Sequence, residues 1–216
     1  MIPFPDKKYQ IIYADPPWSF TAWNPKTAHK YIEKQYKTMT EKELVELPVK
    51  NISEENSVLF LWSTFPNLKM CLNVMEKWGF TYKTCAFNWV KRNKKSDSWF
   101  WGMGYYTRSN SEVCLLGVRG KPLKRLSHSI HQIIDHKIME HSKKPDIVRE
   151  KIVELFGDLP RIELFARPPQ GELFEDESYK GWDVWGNEVQ ALALRRSCLG
   201  LDDGERGAEA GKMTTC

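Results

Sequence analysis

The sequence lacks a long apolar run, an internal repeat and any pair of closely spaced cysteines. No apolar stretch approaches the length of a membrane span, and the amino terminus has neither the basic nor the apolar region of a signal peptide. The five cysteines are odd in number, and Cys71, Cys85 and Cys114 lie in apolar stretches typical of buried free thiols. We therefore expect a protein of the reducing cytoplasm that does not contact a membrane.

A metal centre is also not favoured by the residues present. Four histidines are close in sequence, but no cysteine or paired carboxylate completes a zinc-binding set with them. These histidines are His128, His131, His136 and His141. The sequence therefore predicts no metal.

Basic residues are in slight excess and are locally concentrated. The net charge is +4 at pH 7, which is compatible with a polyanionic partner. One cluster lies at 91–95 and a second at 119–125, and each flanks a segment rich in aromatic residues or glycine. We therefore expect both clusters to contact phosphates. The aromatic residues that follow the first cluster, which are suited to contact with a flat ligand, are Trp99, Phe100, Trp101, Tyr105 and Tyr106.

The most informative motif is Asp15-Pro16-Pro17-Trp18, which directly follows the apolar run 11–14. Such a run predicts a buried strand, and two prolines at its end stop the strand and stiffen the backbone. The motif is thereby placed at a strand tip, where open α/β sheets bind their ligands. A carboxylate and prolyl carbonyls accept hydrogen bonds from an NH2 group, and the tryptophan offers a flat face beside them. These features suit recognition of an exocyclic amine on a flat base.

Apolar strands alternate with helical segments along the chain. Strands are predicted at 10–14, 57–63, 81–91, 111–118, 129–135, 161–166 and 183–185, and helices at 40–47, 66–78 and 145–156. This alternation predicts an α/β fold with a mostly parallel, doubly wound sheet. We assign one domain to residues 1–190 and a disordered tail to residues 191–216, where the composition shifts to Gly, Ala, Arg and Glu.

The Asp-Pro-Pro-Trp motif after an apolar strand resembles the catalytic motif of the MT-A70 family of adenine-N6 methyltransferases. Seven further segments are similar to other blocks of the family, in the family's order. They are Tyr36–Thr40, Leu59–Trp62, Asn88–Lys91, Glu112–Gly117, Ser142–Asp146, Glu163–Pro168 and Trp185–Glu188. Together these blocks cover residues 9–188, and eight ordered blocks are not expected by chance. The compact length resembles the phage and bacterial members, which act on DNA.

The resemblance implies a Rossmann-like methyltransferase fold of permuted order, with the catalytic strand early and the cofactor strand late. It also implies transfer of a methyl group from S-adenosylmethionine to N6 of adenine in DNA. The N6 lone pair is delocalised into the ring, so Asp15 and the carbonyl of Pro16 are expected to hydrogen-bond the two amine protons and orient the nucleophile. In a duplex the target base is first flipped out of the stack.

The resemblance further assigns three sets of residues. The catalytic set is Asp15, Pro16, Pro17 and Trp18, the cofactor set is Asp15, Lys144, Arg167, Asn187 and Glu188, and the set around the acceptor base is Tyr36, Trp62, Trp89, Lys91 and Glu112. Lys144 is expected to meet the methionine carboxylate or to bridge into the catalytic pocket. Tyr36 and Trp89 are nearly as compatible with core packing as with this role.

Departures from the eukaryotic pattern leave some assignments open. Pro169-Gln170 replaces a His-Asn pair, and Glu188 stands where those enzymes have glutamine, so the contacts to the adenine of the cofactor are unassigned. The loop 92–110 does not by its sequence distinguish DNA from RNA. We predict a DNA adenine-N6 methyltransferase, with an RNA methyltransferase of the same type or a catalytically silent nucleic-acid-binding subunit as alternatives. A homodimer in a bacterial or phage-infected host cell is compatible with the small size.

Overall fold

The computed structural model describes residues 3–19, 38–139, 143–166 and 179–186. The strands are β1 (Tyr9–Ala14), β2 (Ser53–Ser63), β3 (Thr81–Arg92), β4 (Glu112–Arg119), β5 (Ile133–Lys137), β6 (Arg161–Leu164) and β7 (Asp183–Trp185). The helices are α1 (Glu41–Val45), α2 (Val49–Ile52), α3 (Leu68–Lys77) and α4 (Ile147–Phe156), with a 3-10 helix at Phe65–Asn67 before α3. The seven strands form one sheet in the order β5-β3-β4-β2-β1-β6-β7.

Strand direction decides where the ends of these strands meet. β1 pairs in parallel with β2 and β6, β6 pairs in parallel with β7, and β3 pairs in parallel with β5. β4 runs antiparallel to both of its neighbours, β2 and β3. The carboxyl ends of the six other described strands therefore meet at one edge of the sheet, together with the amino end of β4. We call this the upper edge, and the opposite one the lower edge.

Both faces of the sheet are covered, which explains the continuous apolar run of β1. Successive side chains of a strand point to opposite faces. Ile12 and Ala14 pack in a cluster with residues of α1, α2 and α3, whereas Ile11 and Tyr13 pack in a second cluster with residues of α4. A strand buried on both faces has no polar alternation, as is typical of the parallel strands of α/β proteins. The fold is a Rossmann-like α/β fold, which confirms the prediction.

The ends of the helices follow local signals in the sequence. Thr40 caps α1 in a reciprocal capping box, because its hydroxyl accepts the Glu43 N–H while the Glu43 carboxylate accepts the Thr40 N–H at 2.7 Å. Such a cap contributes about 1 kcal/mol. Gly157 ends α4 with a φ of 83°, a conformation that glycine adopts without a steric penalty. These signals confirm the predicted positions of both helices to within a few residues.

The boundaries differ from the sequence-based ones in three places. β5 occupies Ile133–Lys137, so the strand predicted at 129–135 begins four residues too early; it lies at the edge of the sheet, where polar residues weaken the pattern. β2 begins at Ser53, before its apolar stretch, and α2 was not predicted because four residues are too few to show a helical period. The sequence also predicts that residues 19–39 form a loop over the site; this segment lies mostly, and the tail 191–216 wholly, outside the described residues.

Candidate active site

The alternation of side chains along three strands, β1, β3 and β4, brings one set of residues together at the upper edge. Asp15 continues the face of β1 that carries Ile11 and Tyr13, which is the face covered by α4. By the same alternation, Lys91 continues the face of Phe87 and Trp89, and Glu112 that of Cys114. Lys144 reaches this face from the segment that leads into α4. The strands therefore place these charged side chains on one side of the sheet.

These four side chains form a chain of alternating charge. Lys144 Nζ lies 2.8 Å from Asp15 Oδ2 and 3.2 Å from Glu112 Oε2. Glu112 Oε1 in turn accepts a hydrogen bond from Lys91 Nζ at 2.5 Å. We call this the charge chain. It brings together two residues predicted around the acceptor base and two predicted at the catalytic and cofactor positions.

The charge chain is largely withdrawn from water. The exposed fraction of the side chain is 10% for Lys144, 15% for Glu112 and 18% for Asp15. Burial opposes ionisation of Lys144, but Asp15 and Glu112 outweigh it and raise the pKa of the ammonium group. Burial likewise opposes ionisation of Glu112, yet Lys144 and Lys91 lower the pKa of its carboxyl below the ordinary value. All of the resolved shifts in the chain thus favour the charged forms, so the pairs keep their fixed geometry at neutral pH.

Buried aromatic side chains form the floor beneath these charges. Lys144 Nζ lies 5.6 Å from the centre of the Trp62 ring, and the Trp62 indole donates to the hydroxyl of Tyr13 at 2.8 Å. Lys91 Nζ lies 4.9 Å from the Trp89 ring, whose indole donates to the carbonyl of His136. Trp62 and Trp89 are fully or nearly fully buried. Both are core residues whose rings lie against the lysine ammonium groups. Direct contact of either ring with a substrate base stays a prediction.

The backbone after Asp15 is fixed by hydrogen bonds to the carbonyl groups of both prolines. Pro16 accepts the N–H of Trp18 at 2.8 Å, and Pro17 accepts the N–H of Met39 at 2.8 Å. The indole of Trp18 donates to the carbonyl of Trp62 at 2.9 Å, and its ring packs in the cluster with α1, α2 and α3. Trp18 is 8% exposed, so its observed contacts are those of a residue that anchors the strand tip. Its predicted packing against the base stays a prediction.

A second charged group adjoins the first at the start of α4. Arg149 donates to Glu163 Oε2 at 2.8 Å and to Asp146, and its guanidinium lies 4.0 Å from the centre of the Tyr179 ring. Burial raises the pKa of Glu163 above its ordinary value, and Arg149 offsets this only in part. Lys143 also bonds Asp146, at 2.7 Å. This group therefore places further cations and carboxylates beside Asp15.

A pocket opens between the two charged groups, and its space of about 290 Å³ includes open solvent. Its lining consists of Asp15, Lys143, Lys144, Arg149, Glu163, Phe165 and Tyr179. Opposite charges and two aromatic rings thus face one cleft beside the Asp-Pro-Pro-Trp motif. Such a lining suits a zwitterionic ligand that also has an apolar part.

Sequence reasoning missed Glu163, Arg149, Asp146 and Tyr179 as members of the site. The alternation in β6 contained a signal for the first of them, because Ile162 and Leu164 pack on one face while Arg161 and Glu163 point to the other. A charged residue in a central strand marks a functional or paired position. The partner of Glu163 depends on the packing of α4 and has no such signal.

Four of the predicted site residues, Tyr36, Arg167, Asn187 and Glu188, lie outside the described residues. The second basic cluster is described and lies elsewhere. Arg119 ends β4 at the lower edge, where it donates to the carbonyl of Lys50. The predicted phosphate contacts of residues 119–125 are therefore not on the same edge as Asp15.

Two general features complete the description of the site region. Within residues 3–19, 38–139, 143–166 and 179–186, no group of three His, Cys, Asp or Glu side chains is placed to hold a metal ion. The helices among these residues include none that is long and apolar enough to cross a membrane.

Comparisons with known proteins agree with this geometry. A paired carboxylate and a proline-stiffened strand tip lie at the upper edge of a Rossmann-like sheet, which is where open α/β sheets bind their ligands. The sequence profile of MT-A70 matches residues 9–188. The chain therefore belongs to the MT-A70 family of adenine-N6 methyltransferases, which confirms the resemblance.

Individual relatives fall into two groups by length. The Type II methyltransferase M.MunI of Mycoplasma sp is 34% identical over 201 residues, which are 86% of this chain and 79% of that protein. The human N(6)-adenosine-methyltransferase catalytic subunit is 26% identical over 188 residues, 87% of this chain and 29% of that protein. A putative N(6)-adenosine-methyltransferase of Medicago truncatula is 27% identical over 189 residues, 87% and 27% of the two chains. This chain thus spans most of the first relative and about a quarter of the other two.

Proposed function

We propose that this protein is a site-specific DNA methyltransferase that transfers the methyl group of S-adenosylmethionine to N6 of adenine. The observation that carries the proposal is the position of Asp15, at the carboxyl end of a central strand, with Oδ2 held 2.8 Å from Lys144 Nζ. A carboxylate that is fixed by a buried cation presents its second oxygen in a defined direction. Preorganised acceptors of this kind act on a reacting amine without reorganising during the reaction.

Asp15 and Pro16 would together orient the amine. The Lys144 ammonium bonds Oδ2, so Oδ1 accepts one N6 proton, and the Pro16 carbonyl accepts the other with the lone pair that the Trp18 N–H leaves over. The two acceptors fix the amine and draw its lone pair out of conjugation with the ring. The lone pair would then point toward the methyl group that the cofactor supplies, whose bond to sulfur would break as the bond to N6 forms, and the methylated amine would release its extra proton to water. Positioning and charge stabilisation are therefore the main contributions of Asp15.

The charges that line the pocket are complementary to the amino-acid end of S-adenosylmethionine. When bound, this cofactor would supply an electrophilic methyl group on a sulfonium centre. Lys143, Lys144 and Arg149 would hold its α-carboxylate, and Asp15 and Glu163 would hold its ammonium group. Arg167, Asn187 and Glu188, which the family resemblance assigns to the cofactor, would complete the site from outside the described residues.

DNA is favoured over RNA as the substrate by the relatives. M.MunI, a Type II methyltransferase, has the higher identity and matches over most of its own length, whereas the plant and human N(6)-adenosine-methyltransferases match over about a quarter. A bacterial DNA methyltransferase works in the cytoplasm, so we place this protein there. A homodimer stays a prediction, because the described residues define no interface.

The test is methyl transfer from labelled S-adenosylmethionine to unmethylated duplex DNA, single-stranded DNA and RNA. The wild-type protein is expected to label adenine N6 in DNA, and Asp15→Asn is expected to lower kcat by roughly a hundredfold or more. Asp183→Asn is the matched control, because Asp183 is also paired with a lysine, Lys7, but lies at the lower edge. Label in RNA alone would replace DNA by RNA in the proposal. No label in any polymer, from a folded protein that binds DNA, would indicate a silent subunit.

A further inference from the structure

The segment between β3 and β4 exposes aromatic side chains although it is well ordered by hydrogen bonds. We call residues 93–110 the aromatic hairpin. Trp101 is 56% exposed, Tyr105 69%, and Met103 and Tyr106 93% each. Contiguous apolar groups of this kind are uncommon on the surface of a soluble protein without a binding role. We call these four residues the tip, and their exposure indicates a surface that binds another molecule.

The base of the hairpin is closed by one side chain. Asn110 accepts the Lys91 N–H at 2.8 Å and donates to the carbonyls of Lys91 and Phe100 at 2.9 and 2.5 Å. Nearer the tip, Arg108 donates to the carbonyls of Trp101 and Gly102 at 2.8 and 2.9 Å. Polar groups of the hairpin are thus satisfied within it, so the exposed aromatic rings are held on a formed scaffold.

A second brace ties the hairpin to the edge of the sheet. The Arg92 guanidinium makes two parallel hydrogen bonds of 2.7 Å to the Asp135 carboxylate in β5, and it stacks 3.9 Å from the centre of the Trp99 ring. Lys137, also in β5, lies 3.0 Å from Asp97. Bidentate pairs of this type fix direction as well as distance. The hairpin therefore has a set orientation relative to the upper edge.

That orientation places the hairpin at the proposed active site. It is flanked by Arg92, next to Lys91, and by Ser111, next to Glu112, and both Lys91 and Glu112 belong to the charge chain that ends on Asp15. The hairpin is also basic, because residues 93–110 contain three cations, Lys94, Lys95 and Arg108, against one carboxylate, Asp97. Exposed rings among lysines are typical of surfaces that bind single-stranded nucleic acid, whereas protein interfaces are depleted in lysine.

We propose that the tip of the aromatic hairpin is a stacking platform for the unpaired bases that flank the target adenine, while Lys94 and Lys95 contact the backbone of the same strand. This inference rests on the proposed function in one respect, which is that the substrate is a nucleic acid presented at Asp15. Removing a base from a duplex leaves its neighbours unstacked, and an aromatic ring restores part of that stacking. The platform would therefore prefer single-stranded or locally opened DNA over a perfect duplex.

The test is equilibrium binding of the full chain, without cofactor, to three fluorescein-labelled DNAs. They are a 20-nucleotide single strand, the matching duplex, and the same duplex with one unpaired adenine. A duplex of this length has about two helical turns, which is enough to bind one protein molecule. The tip variant is Trp101→Ala with Tyr106→Ala, and the backbone variant is Lys94→Ala with Lys95→Ala. Tyr82→Ala is the matched control, since Tyr82 is 47% exposed but lies near the lower edge.

The tip variant is expected to bind the single strand and the opened duplex at least about tenfold more weakly, with an unchanged dependence of affinity on salt. The backbone variant is expected to lower the slope of log affinity against log salt by about 1.5. Affinities of the tip variant equal to those of the Tyr82→Ala control would overturn the proposal. So would a wild-type dimer that the tip variant converts to a monomer in sedimentation, because the tip would then be a protein interface.

Failure of the proposed function gives a different result. If the wild type transfers no methyl group but the tip variant still loses affinity for unpaired DNA, the platform stands and the methyltransferase proposal fails. If methyl transfer to DNA is intact in the tip variant and its affinities are unchanged, the platform fails and the proposed function stands.

Discussion

The charge chain and the aromatic hairpin adjoin each other at Glu112, yet they are built in opposite ways. The charge chain is 10–18% exposed and consists of ions that are paired with one another across different strands. The tip is 56–93% exposed, and its rings project from a loop that satisfies its own polar groups. The proposed chemistry, which depends on fixed charge, lies where water is scarce. The proposed contact with a large partner lies where side chains are accessible.

The sharpest test of this contrast is Lys144→Met. The substitution leaves Asp15 and Glu112 side by side without their shared cation, and removing one member of a buried pair typically costs about 3–5 kcal/mol of unfolding free energy. Denaturant unfolding measures the loss. Lys7→Met is the control, because its pair with Asp183 has side chains that are 55% and 46% exposed and should contribute no more than about 1 kcal/mol. Equal losses of unfolding free energy in the two variants would mean that the buried charge chain stabilises the fold no more than an exposed ion pair does.

An intermediate effect is expected from Asn110→Ala. The side chain bridges Lys91 and Phe100, so its removal takes a partner from three backbone groups at the base of the hairpin, of which the Lys91 carbonyl keeps the N–H of Phe100. We expect a loss of about 1–2 kcal/mol and faster proteolysis within the hairpin. Because Lys91 also belongs to the charge chain, methyl transfer should fall modestly as well. Cleavage at the wild-type rate would contradict the assignment of Asn110 as the closing residue.

The pH dependence of stability should distinguish the two regions more finely. The pKa of Glu112 is lowered in the folded protein below its ordinary value of 4.5, because Lys144 and Lys91 outweigh the effect of burial. Its stabilising contribution is therefore fully present above pH 4.5 and is lost as the pH falls through the lowered pKa. We expect Glu112→Gln to flatten the acid side of the curve of unfolding free energy against pH. Glu55→Gln, at an exposed site near the lower edge, is the matched control.

The smallest effect on stability is expected from the tip. Trp101→Ala with Tyr106→Ala removes rings that are mostly in water, so the free energy of unfolding should change by no more than about 0.5 kcal/mol. The same protein is expected to lose affinity for unpaired DNA. A large loss of stability, measured by thermal unfolding, would show that the rings pack within the fold and would remove the contrast between the two regions.

Much of the fold could be predicted because its signals are local. The apolar runs of β1, β2 and β4, the capping box at Thr40 and the glycine after α4 each depend on neighbouring residues. The reversed direction of β4 has no such signal, because strand pairing depends on residues far apart in the chain. Edge strand β5 was misplaced for a related reason, since one of its faces is solvated and its pattern is weak.

In the candidate site, too, features with a local signal could be predicted and features that depend on packing could not. The Asp-Pro-Pro-Trp motif carries its own mechanical logic. The family resemblance assigned Lys144 either to the methionine carboxylate or to a bridge into the catalytic pocket, and in the structure its ammonium group bonds Asp15. The burial of Trp18 against Trp62 and the pairing of Arg149 with Glu163 depend on how elements pack, which a local pattern does not contain. The signal in β6 was nevertheless present, as a glutamate alternating with apolar residues.

The closure of the hairpin at Asn110 has a consequence for how this protein can be altered. Lys91 N–H and the Asn110 side chain meet across 19 positions, and below them Trp89 pairs with Glu112 in the ladder. The intervening residues form a segment that is joined to the sheet at two neighbouring places, the Lys91–Asn110 contact and the Trp89–Glu112 pair; we call this segment a cassette. A cassette of this kind can be exchanged, lengthened or redesigned while Asp15, Lys144 and Glu112 keep their places. If the tip stacks on the bases that flank the target, as we propose, substrate preference and reaction chemistry can be altered on separate parts of one chain.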